Sequence, residues 1–114
     1  MPAQSPQVVD LMYRLMLYLI PQTSKFPKNQ RYLLGERIEQ EGLDVLLALV
    51  VAQYQRDKQA DLVRANLGLQ KMRFLIRLCR DLDLLSNHKY EFVTKQIHEV
   101  GIQVGGWAKS TKSR

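Results

Sequence analysis

The sequence has a single cysteine, only two histidines and no long apolar segment. Cys79 has no second cysteine with which to form an internal disulfide, and with only His88 and His98 beside it no zinc site of familiar ligand spacing can be assembled. The longest uninterrupted apolar run covers residues 45–52, far short of the ~20 residues that a membrane-spanning helix needs. These absences predict a cytoplasmic protein that holds no metal or cofactor and does not enter a membrane.

Prolines are confined to the first quarter of the chain, at positions 2, 6, 21 and 27. Beyond them the apolar residues recur at intervals of three and four, which is typical of amphipathic helices, and no strand hairpin pattern or internal repeat is present. The 114 residues suffice for one domain with a core but are short for two. The sequence therefore predicts an all-α protein with a single domain over residues 1–114.

Four helices follow from the positions at which this periodicity is interrupted. The first would end before Pro21, and Pro27 suits the first turn of the second. A charged break at residues 56–58 precedes the third, and Ser86 and Asn87 are good N-caps for the fourth. The predicted helices span residues 6–20, 28–55, 58–84 and 87–109, with a frayed tail over 110–114. Short connections between such helices favour an antiparallel up-down four-helix bundle.

The second predicted helix is apolar on all sides over residues 45–52, which read VLLALVVA. A helix in a small monomeric bundle keeps a polar outer face, so something must cover the second apolar face of this helix. We predict that Leu47 and Val51 on that face form a subunit interface in a homo-oligomer. The alternative is a central helix that its own neighbours shelter.

Glycines in the fourth predicted helix stand about one turn apart, at Gly101 and Gly105. Each glycine within a helix costs about 1 kcal/mol of stability relative to alanine, unless a close approach of two backbones offsets it. We therefore predict a tight helix crossing at Gly101 and Gly105. The alternative is that Gly105 and Gly106 kink or fray the end of the helix.

Basic residues outnumber acidic residues by 17 to 11, which gives a formal net charge of +6. An anionic partner is therefore expected.

Three arginines of the third helix, here called the arginine stripe, are Arg73, Arg77 and Arg80. They are spaced i, i+4 and i+7, so they share one side of that helix. Guanidinium groups bind phosphate through two parallel hydrogen bonds, and three at this spacing can follow a nucleic-acid backbone. The alternatives are a solvated face or an ion-paired rim.

A second basic group lies in the first loop and at the start of the second helix. It consists of Lys25, Lys28 and Arg31, with Phe26 and Tyr32 interleaved. Aromatic rings beside cations can stack on exposed bases. The interpretation that we favour instead packs Phe26 under the loop and makes Tyr32 the first core residue of the second helix.

No catalytic constellation is found in the sequence. The carboxylates are scattered, the serines lie in caps and in the tail, and no phosphate-binding glycine loop with a following Lys-Ser or Lys-Thr is present. Cys79 is interpreted as a small buried apolar residue. The sequence therefore predicts no catalytic residue, and an enzyme is not expected.

Several segments of the sequence resemble one protein family. They are YRLMLYLIPQTSKFPKNQRYLLGERIE at residues 13–39, LQKMRFLIRLCRDLDLLS at 69–86, Tyr90 and Glu91 in KYEF, and EVGIQVGGW at 99–107. In order and spacing they are similar to four-helix-bundle proteins that include ribosomal RNA intervening-sequence proteins and the accessory variability determinant (Avd) of diversity-generating retroelements. The resemblance covers nearly the whole chain.

The resemblance implies a non-catalytic homopentamer that binds RNA or DNA through a basic surface and associates with a retroelement reverse transcriptase during mutagenic copying. The basic positions it implicates are Arg73, Arg77 and Arg80, with Lys25, Lys28 and Arg31 as further candidates. Gln103 stands where the family often has arginine before its closing Gly-Gly-Trp, which weakens a contribution of the fourth helix to the basic face. The alternatives are an intervening-sequence protein and an oligomeric helical scaffold that binds an acidic protein partner.

Overall fold

The computed structural model describes residues 5–112, which form helices and short connections without any strand. Helix α1 spans Ser5–Thr23. Helix α2 is continuous through three segments, which are Lys28–Gln30, a π-helical turn over Arg31–Gly35, and Glu36–Tyr54. Helix α3 spans Gln59–Asp81 and helix α4 spans Asn87–Lys112. The prediction of an all-α protein with four helices is confirmed for this part of the chain.

Helix α1 continues through Pro21, where the sequence predicted its end. Proline lacks an N–H, so the carbonyl of Leu17 loses its helical partner, but Leu17 and Pro21 are both exposed and water can replace that donor. The last turn is closed by the hydroxyl of Thr23, which donates to the carbonyl of Ile20 at 3.0 Å. The predicted end at residue 20 is therefore wrong by one turn.

Helix α4 also extends further than predicted, through residues 110–112. The side-chain amide of Gln59, in the first turn of α3, donates to the carbonyl of Ala108 at 3.0 Å and to the hydroxyl of Thr111 at 2.6 Å. These hydrogen bonds fasten the last turn of α4 to α3, so the predicted fraying of residues 110–112 is wrong. The remainder of the predicted tail lies outside the described residues.

The predicted breaks between the helices lie close to the observed ones. At residues 56–58 the ammonium group of Lys58 donates to the carbonyls of Ala52 and Gln55, at 2.8 and 2.7 Å, and so satisfies acceptors at the end of α2. The hydroxyl of Ser86 accepts a hydrogen bond from the backbone N–H of Lys89 at 3.2 Å, which makes it the N-cap of α4. Helix α3 ends at Asp81 instead of residue 84, shortly before Asp83 adopts a positive φ of 61°.

The four helices surround a common apolar core. Helix α1 contacts α2 and α4, and α3 also contacts α2 and α4, so each helix has two neighbours. The cross-section of 22 × 19 Å is about two helix diameters in each direction, as expected for four helices side by side. The largest fully buried side chains are Met12, Leu19, Ile38, Leu49, Leu62, Leu69, Met72, Ile76 and Ile97. No helix within residues 5–112 has the length and apolar character needed to cross a membrane.

Helix α2 keeps an apolar face outside this core. Ala48 and Leu49 are buried, whereas Leu47 is 57% exposed and Val51 is 41% exposed. Neighbouring helices of the same chain therefore do not shelter this face, and the alternative of a fully enclosed central helix does not apply. A subunit interface at Leu47 and Val51 stays a prediction.

The predicted tight crossing at Gly101 and Gly105 is not found. A Cβ atom added at Gly105 or Gly106 would meet no atom within 4 Å, so no helix approaches closely there. A Cβ at Gly101 would lie 3.3 Å from Nη2 of Arg73, which is a contact with the end of a long side chain and not with a backbone. The glycine spacing in α4 therefore does not mark a close crossing within the protomer.

Close crossings occur instead at two glycines on α2 and α3. A Cβ at Gly42 would overlap the thioether of Met16 on α1, and a Cβ at Gly68 on α3 would overlap Cγ2 of Val45 on α2. Both glycines are buried. Helix α2 therefore packs tightly against both of its neighbours only because neither position carries a side chain.

Alanine at Gly68 should destabilise the protein. Overpacking costs about 1–3 kcal/mol, which exceeds the helix-propensity gain of about 1 kcal/mol because the β-branched Val45 has little rotamer freedom to move aside. Gly105→Ala is the matched control and should be neutral or stabilising, since its Cβ enters open space. Urea denaturation of the two variants checks this prediction. A Gly68→Ala variant as stable as Gly105→Ala would contradict it.

Candidate nucleic-acid interface

The arginine stripe lies along the boundary between α3 and α4. The guanidinium of Arg73 lies over Gly101 of α4, and that of Arg80 lies over the ring of Tyr90, which is also on α4. Arg77, between them on α3, is exposed to solvent. The three arginines thus share one side of the molecule, but their surroundings differ.

Arg80 is held in place by two interactions. Its Cζ atom lies 4.2 Å from the centre of the Tyr90 ring, and its guanidinium forms an ion pair with the carboxylate of Asp81 at 3.0 Å. Stacking on tyrosine reduces the conformational freedom of the side chain, whereas the carboxylate offsets part of its charge. Arg80 is therefore held in a fixed position at the end of the stripe, and its positive electrostatic potential is weaker than that of an unpaired guanidinium.

Arg73 is half-buried. Its Nε–H group is buried and has no hydrogen-bond acceptor among the described residues. A buried donor that is left unpaired costs about 1–3 kcal/mol of folding free energy. The Nε–H group of Arg73 therefore does not stabilise the fold through a hydrogen bond. The absence of a side chain at Gly101 provides the space that its guanidinium occupies.

Arg77 is the arginine that is most available to a partner. It forms no ion pair within residues 5–112, and its side chain is exposed. One turn earlier on the same helix, Phe74 is 68% exposed. The sequence analysis left a solvated face and an ion-paired rim as alternatives to phosphate binding. The ion-paired rim describes Arg80 but not Arg77.

The second basic group lies where the first loop meets the start of α2. Lys25, Lys28 and Arg31 are all exposed. Lys25 lines a groove of about 260 Å³ that is shared with Lys89 at the start of α4. The structure therefore brings a basic residue of α4 beside the first loop. Lys89 was not among the predicted site residues, and no spacing in the sequence connects it with Lys25.

The two aromatic residues of this group have different environments. Phe26 is buried beneath the loop, which confirms the interpretation that we favoured for it. Tyr32 is 61% exposed, so its predicted role as the first core residue of α2 is wrong. Leu34 is buried, and Tyr32 stands two residues before it. Two residues correspond to about 200° of rotation in a helix, so Tyr32 lies on the side of α2 that faces away from the core.

Two residues of α4 complete the arginine stripe, and sequence reasoning did not assign them to it. Gly101 was predicted at a helix crossing, and Tyr90 was named only as part of the family resemblance. Their contacts with Arg80 and Arg73 arise from the packing of α3 against α4. The sequence offers no local pattern that would pair residues so far apart along the chain.

The structure also bears on catalytic and metal chemistry. Within residues 5–112, no group of three or more His, Cys, Asp or Glu side chains is placed so that it could hold a metal ion. Cys79 is completely buried on the core side of α3, and burial raises the pKa of its thiol from 9.0 to about 11. Its interpretation as a buried apolar residue is confirmed, because a protonated thiol without solvent access is a poor nucleophile.

Comparison with known proteins identifies a family. A family model described as bAvd-like matches residues 7–111, which include both basic groups and most of every helix. No curated protein matches the chain.

The raised pKa of Cys79 predicts a loss of stability in alkaline solution. The unfolded chain releases the thiol proton near pH 9.0 and the folded chain near pH 11, so the contribution of Cys79 is complete below pH 9 and decreases as the pH rises toward 11. Urea denaturation from pH 8 to pH 11 should therefore show a steeper decline for the wild type than for Cys79→Ala. Because tyrosines and lysines are common to both proteins, parallel curves would contradict this prediction.

Proposed function

The chain belongs to the bAvd-like family, the Avd accessory proteins of diversity-generating retroelements, and from this membership we propose that it binds RNA or DNA and associates with the reverse transcriptase of such an element. In this role it takes part in mutagenic copying without catalysing a reaction itself. The family match over residues 7–111 is the observation that carries the proposal. Its nucleic-acid surface is the arginine stripe, with Lys25, Lys28 and Arg31 as an extension.

The charges of the protomer support nucleic acid as the partner. The chain has a formal net charge of +6, and the exposed Arg77 has no ion pair among the described residues. Guanidinium groups bind phosphate oxygens in a bidentate manner, and a helix presents them along the path of a backbone. Within the stripe, the ion pair between Asp81 and Arg80 offsets positive charge at one end only.

We propose that the chain folds as one domain over residues 1–114, an antiparallel up-down bundle that assembles as a homopentamer. The hydrogen bonds from Gln59 at the start of α3 to Ala108 and Thr111 at the end of α4 support opposite directions for these two helices. The exposed Leu47 and Val51 support burial against another subunit. Assembly would also strengthen binding, because several weak phosphate contacts on one particle act together.

Nucleic-acid binding and assembly can be measured together. The anisotropy of a labelled structured RNA and of a mixed-sequence DNA is recorded against protein concentration across a salt series, beside the mass of the free particle. Salt-dependent binding by an oligomer supports the accessory role. Absence of binding at low salt would contradict it and would favour a scaffold for an acidic protein. Binding without copurification of the element's reverse transcriptase would contradict the second half of the proposal.

Arg77→Ala is the cleanest test of the arginine stripe. Arg73 and Arg80 both pack against α4, so their replacement would also disturb the fold, whereas Arg77 is exposed. Loss of one phosphate contact should reduce the slope of log K against log salt by about 0.9 for duplex or about 0.7 for a single strand. Arg14→Ala is the matched control, because it removes the same charge from an exposed arginine of α1. Equal effects of the two variants would show that only net charge matters.

A further inference from the structure

A groove lies at the end of the bundle where the connection between α1 and α2 meets the connection between α3 and α4. It is the groove of about 260 Å³ that Lys25 shares with Lys89, and we call it the loop-end groove. Its apolar floor includes Phe26 and Leu85, which are both buried. The polar residues around it are Gln22, Lys25, Asp83, Ser86 and Lys89. The groove therefore has a polar rim above a closed apolar floor, and both connections contribute to it.

Two lysines on this rim have no counterion in the described part of the chain. Lys25 and Lys89 form no ion pair within residues 5–112. Asp83 lines the same groove and is also unpaired in that range, so two ammonium groups stand against one carboxylate. Like charges in one groove repel each other, and an anion between them relieves that repulsion. The loop-end groove is therefore suited to an anionic ligand.

Ser86 adds a neutral hydrogen-bond donor to the rim. Its hydroxyl oxygen accepts from the backbone N–H of Lys89 at 3.2 Å, and its hydroxyl proton is donated to no acceptor among the described residues. Phosphate oxygens accept several hydrogen bonds, and lysine and serine side chains commonly supply them. Pockets for whole small molecules begin at about 300 Å³, so a groove of about 260 Å³ suits a single charged group better than a complete nucleotide.

The first turn of α4 connects the loop-end groove with the arginine stripe. Lys89 lines the groove, and the next residue, Tyr90, carries the ring on which Arg80 stacks at 4.2 Å. Successive residues of a helix point about 100° apart, so one turn of α4 contacts both features. Lys25 and Arg80 are therefore linked across the surface by two adjacent residues, although they lie far apart in the sequence.

We propose that the loop-end groove binds one phosphate group of the nucleic acid through Lys25, Ser86 and Lys89. From there the strand continues past Tyr90 to the arginine stripe. This inference rests on the proposed nucleic-acid binding and adds to it a defined phosphate site, with Lys89 as a binding residue that the sequence did not indicate. The phosphate is an internal phosphodiester or a 5′-terminal phosphate, because both present the same oxygens to the groove. The carboxylate of Asp83 weakens the binding through its charge.

Lys89→Ala tests the site. Alanine retains the backbone N–H that donates to Ser86, so α4 should keep its N-cap and the variant should keep its melting temperature. Lys95→Ala is the matched control, because it removes the same charge from an exposed lysine of α4 that does not line the groove. The anisotropy of a labelled single-stranded RNA is recorded across a salt series. The slope of log K against log salt should fall by about 0.7 more in Lys89→Ala than in Lys95→Ala.

The same titration distinguishes the two sources of the phosphate. One RNA carries a 5′-phosphate and a second RNA of identical sequence carries a 5′-hydroxyl, with the label at the 3′ end of both. An equal reduction of the slope for both RNAs in Lys89→Ala identifies an internal phosphodiester as the ligand. A reduction confined to the 5′-phosphorylated RNA identifies the terminal phosphate.

Asp83→Asn provides a test in the opposite direction. Asparagine is one of the few residues that adopt a positive φ readily, so it fits the backbone at a φ of 61° while it removes the negative charge. RNA affinity at low salt should rise about twofold to fivefold, as expected when one charge a few ångströms from a phosphate is removed in water. Asp57→Asn is the matched control in the connection between α2 and α3, where asparagine can still accept from the backbone N–H of Gln59. Its affinity should stay close to that of the wild type.

Two results would overturn the phosphate site while the proposed function stands. The first is salt-dependent RNA binding by the wild type with the same slope in Lys89→Ala as in Lys95→Ala, which means that the groove holds no phosphate. The second is an Asp83→Asn variant that binds RNA no more tightly than Asp57→Asn. If the wild type binds neither RNA nor DNA at low salt, the proposed nucleic-acid binding is itself wrong, and the phosphate site fails with it.

Discussion

The packing of the apolar helix α2 is the constraint on which the rest of the structure depends. Gly42 and Gly68 let α2 approach α1 and α3 so closely that a methyl group at either position would overlap a neighbouring side chain. This close packing buries two sides of α2 and leaves a third, which contains Leu47 and Val51, facing outward. The protomer therefore encloses its own core and still exposes apolar side chains on the outer face of α2.

Helix α3 presents sides of different chemical character to the core and to the surface. Its inner side contributes Leu69, Met72, Ile76 and Cys79 to the core, and all four are buried. The outward side carries the exposed apolar residues Leu67, Phe74 and Leu78 and, along the edge that meets α4, the arginine stripe. A helix can hold three such faces because successive residues are rotated by about 100°, so side chains one position apart serve different surroundings. The residues that α3 contributes to the core are therefore different from those that it presents on its outer surface.

The helices themselves were largely predictable, because the apolar residues that define a helical face are only three or four positions apart in the sequence. The positions of the four helices, the N-cap at Ser86 and the burial of Phe26 and Cys79 all follow from residues a few positions apart. The errors have specific causes. Pro21 is tolerated because its missing donor faces water, Gln59 holds the end of α4, and Tyr32 lies about 200° from the buried Leu34 on α2. The first depends on solvent exposure and the second on a distant residue, whereas the third was a wrong choice of helical face.

The sequence by itself determined the all-α class, the helix positions, the family and the alignment of three arginines on one side of a helix. Only the tertiary structure decided what those arginines contact: Arg73 lies over Gly101, Arg80 stacks on Tyr90, and Arg77 remains exposed. It also decided which glycines permit close helix approach and which apolar residues stay outside the core. The physical reason is that periodicity fixes the direction of a side chain relative to its own helix axis, whereas its neighbours depend on how helices distant in sequence pack together.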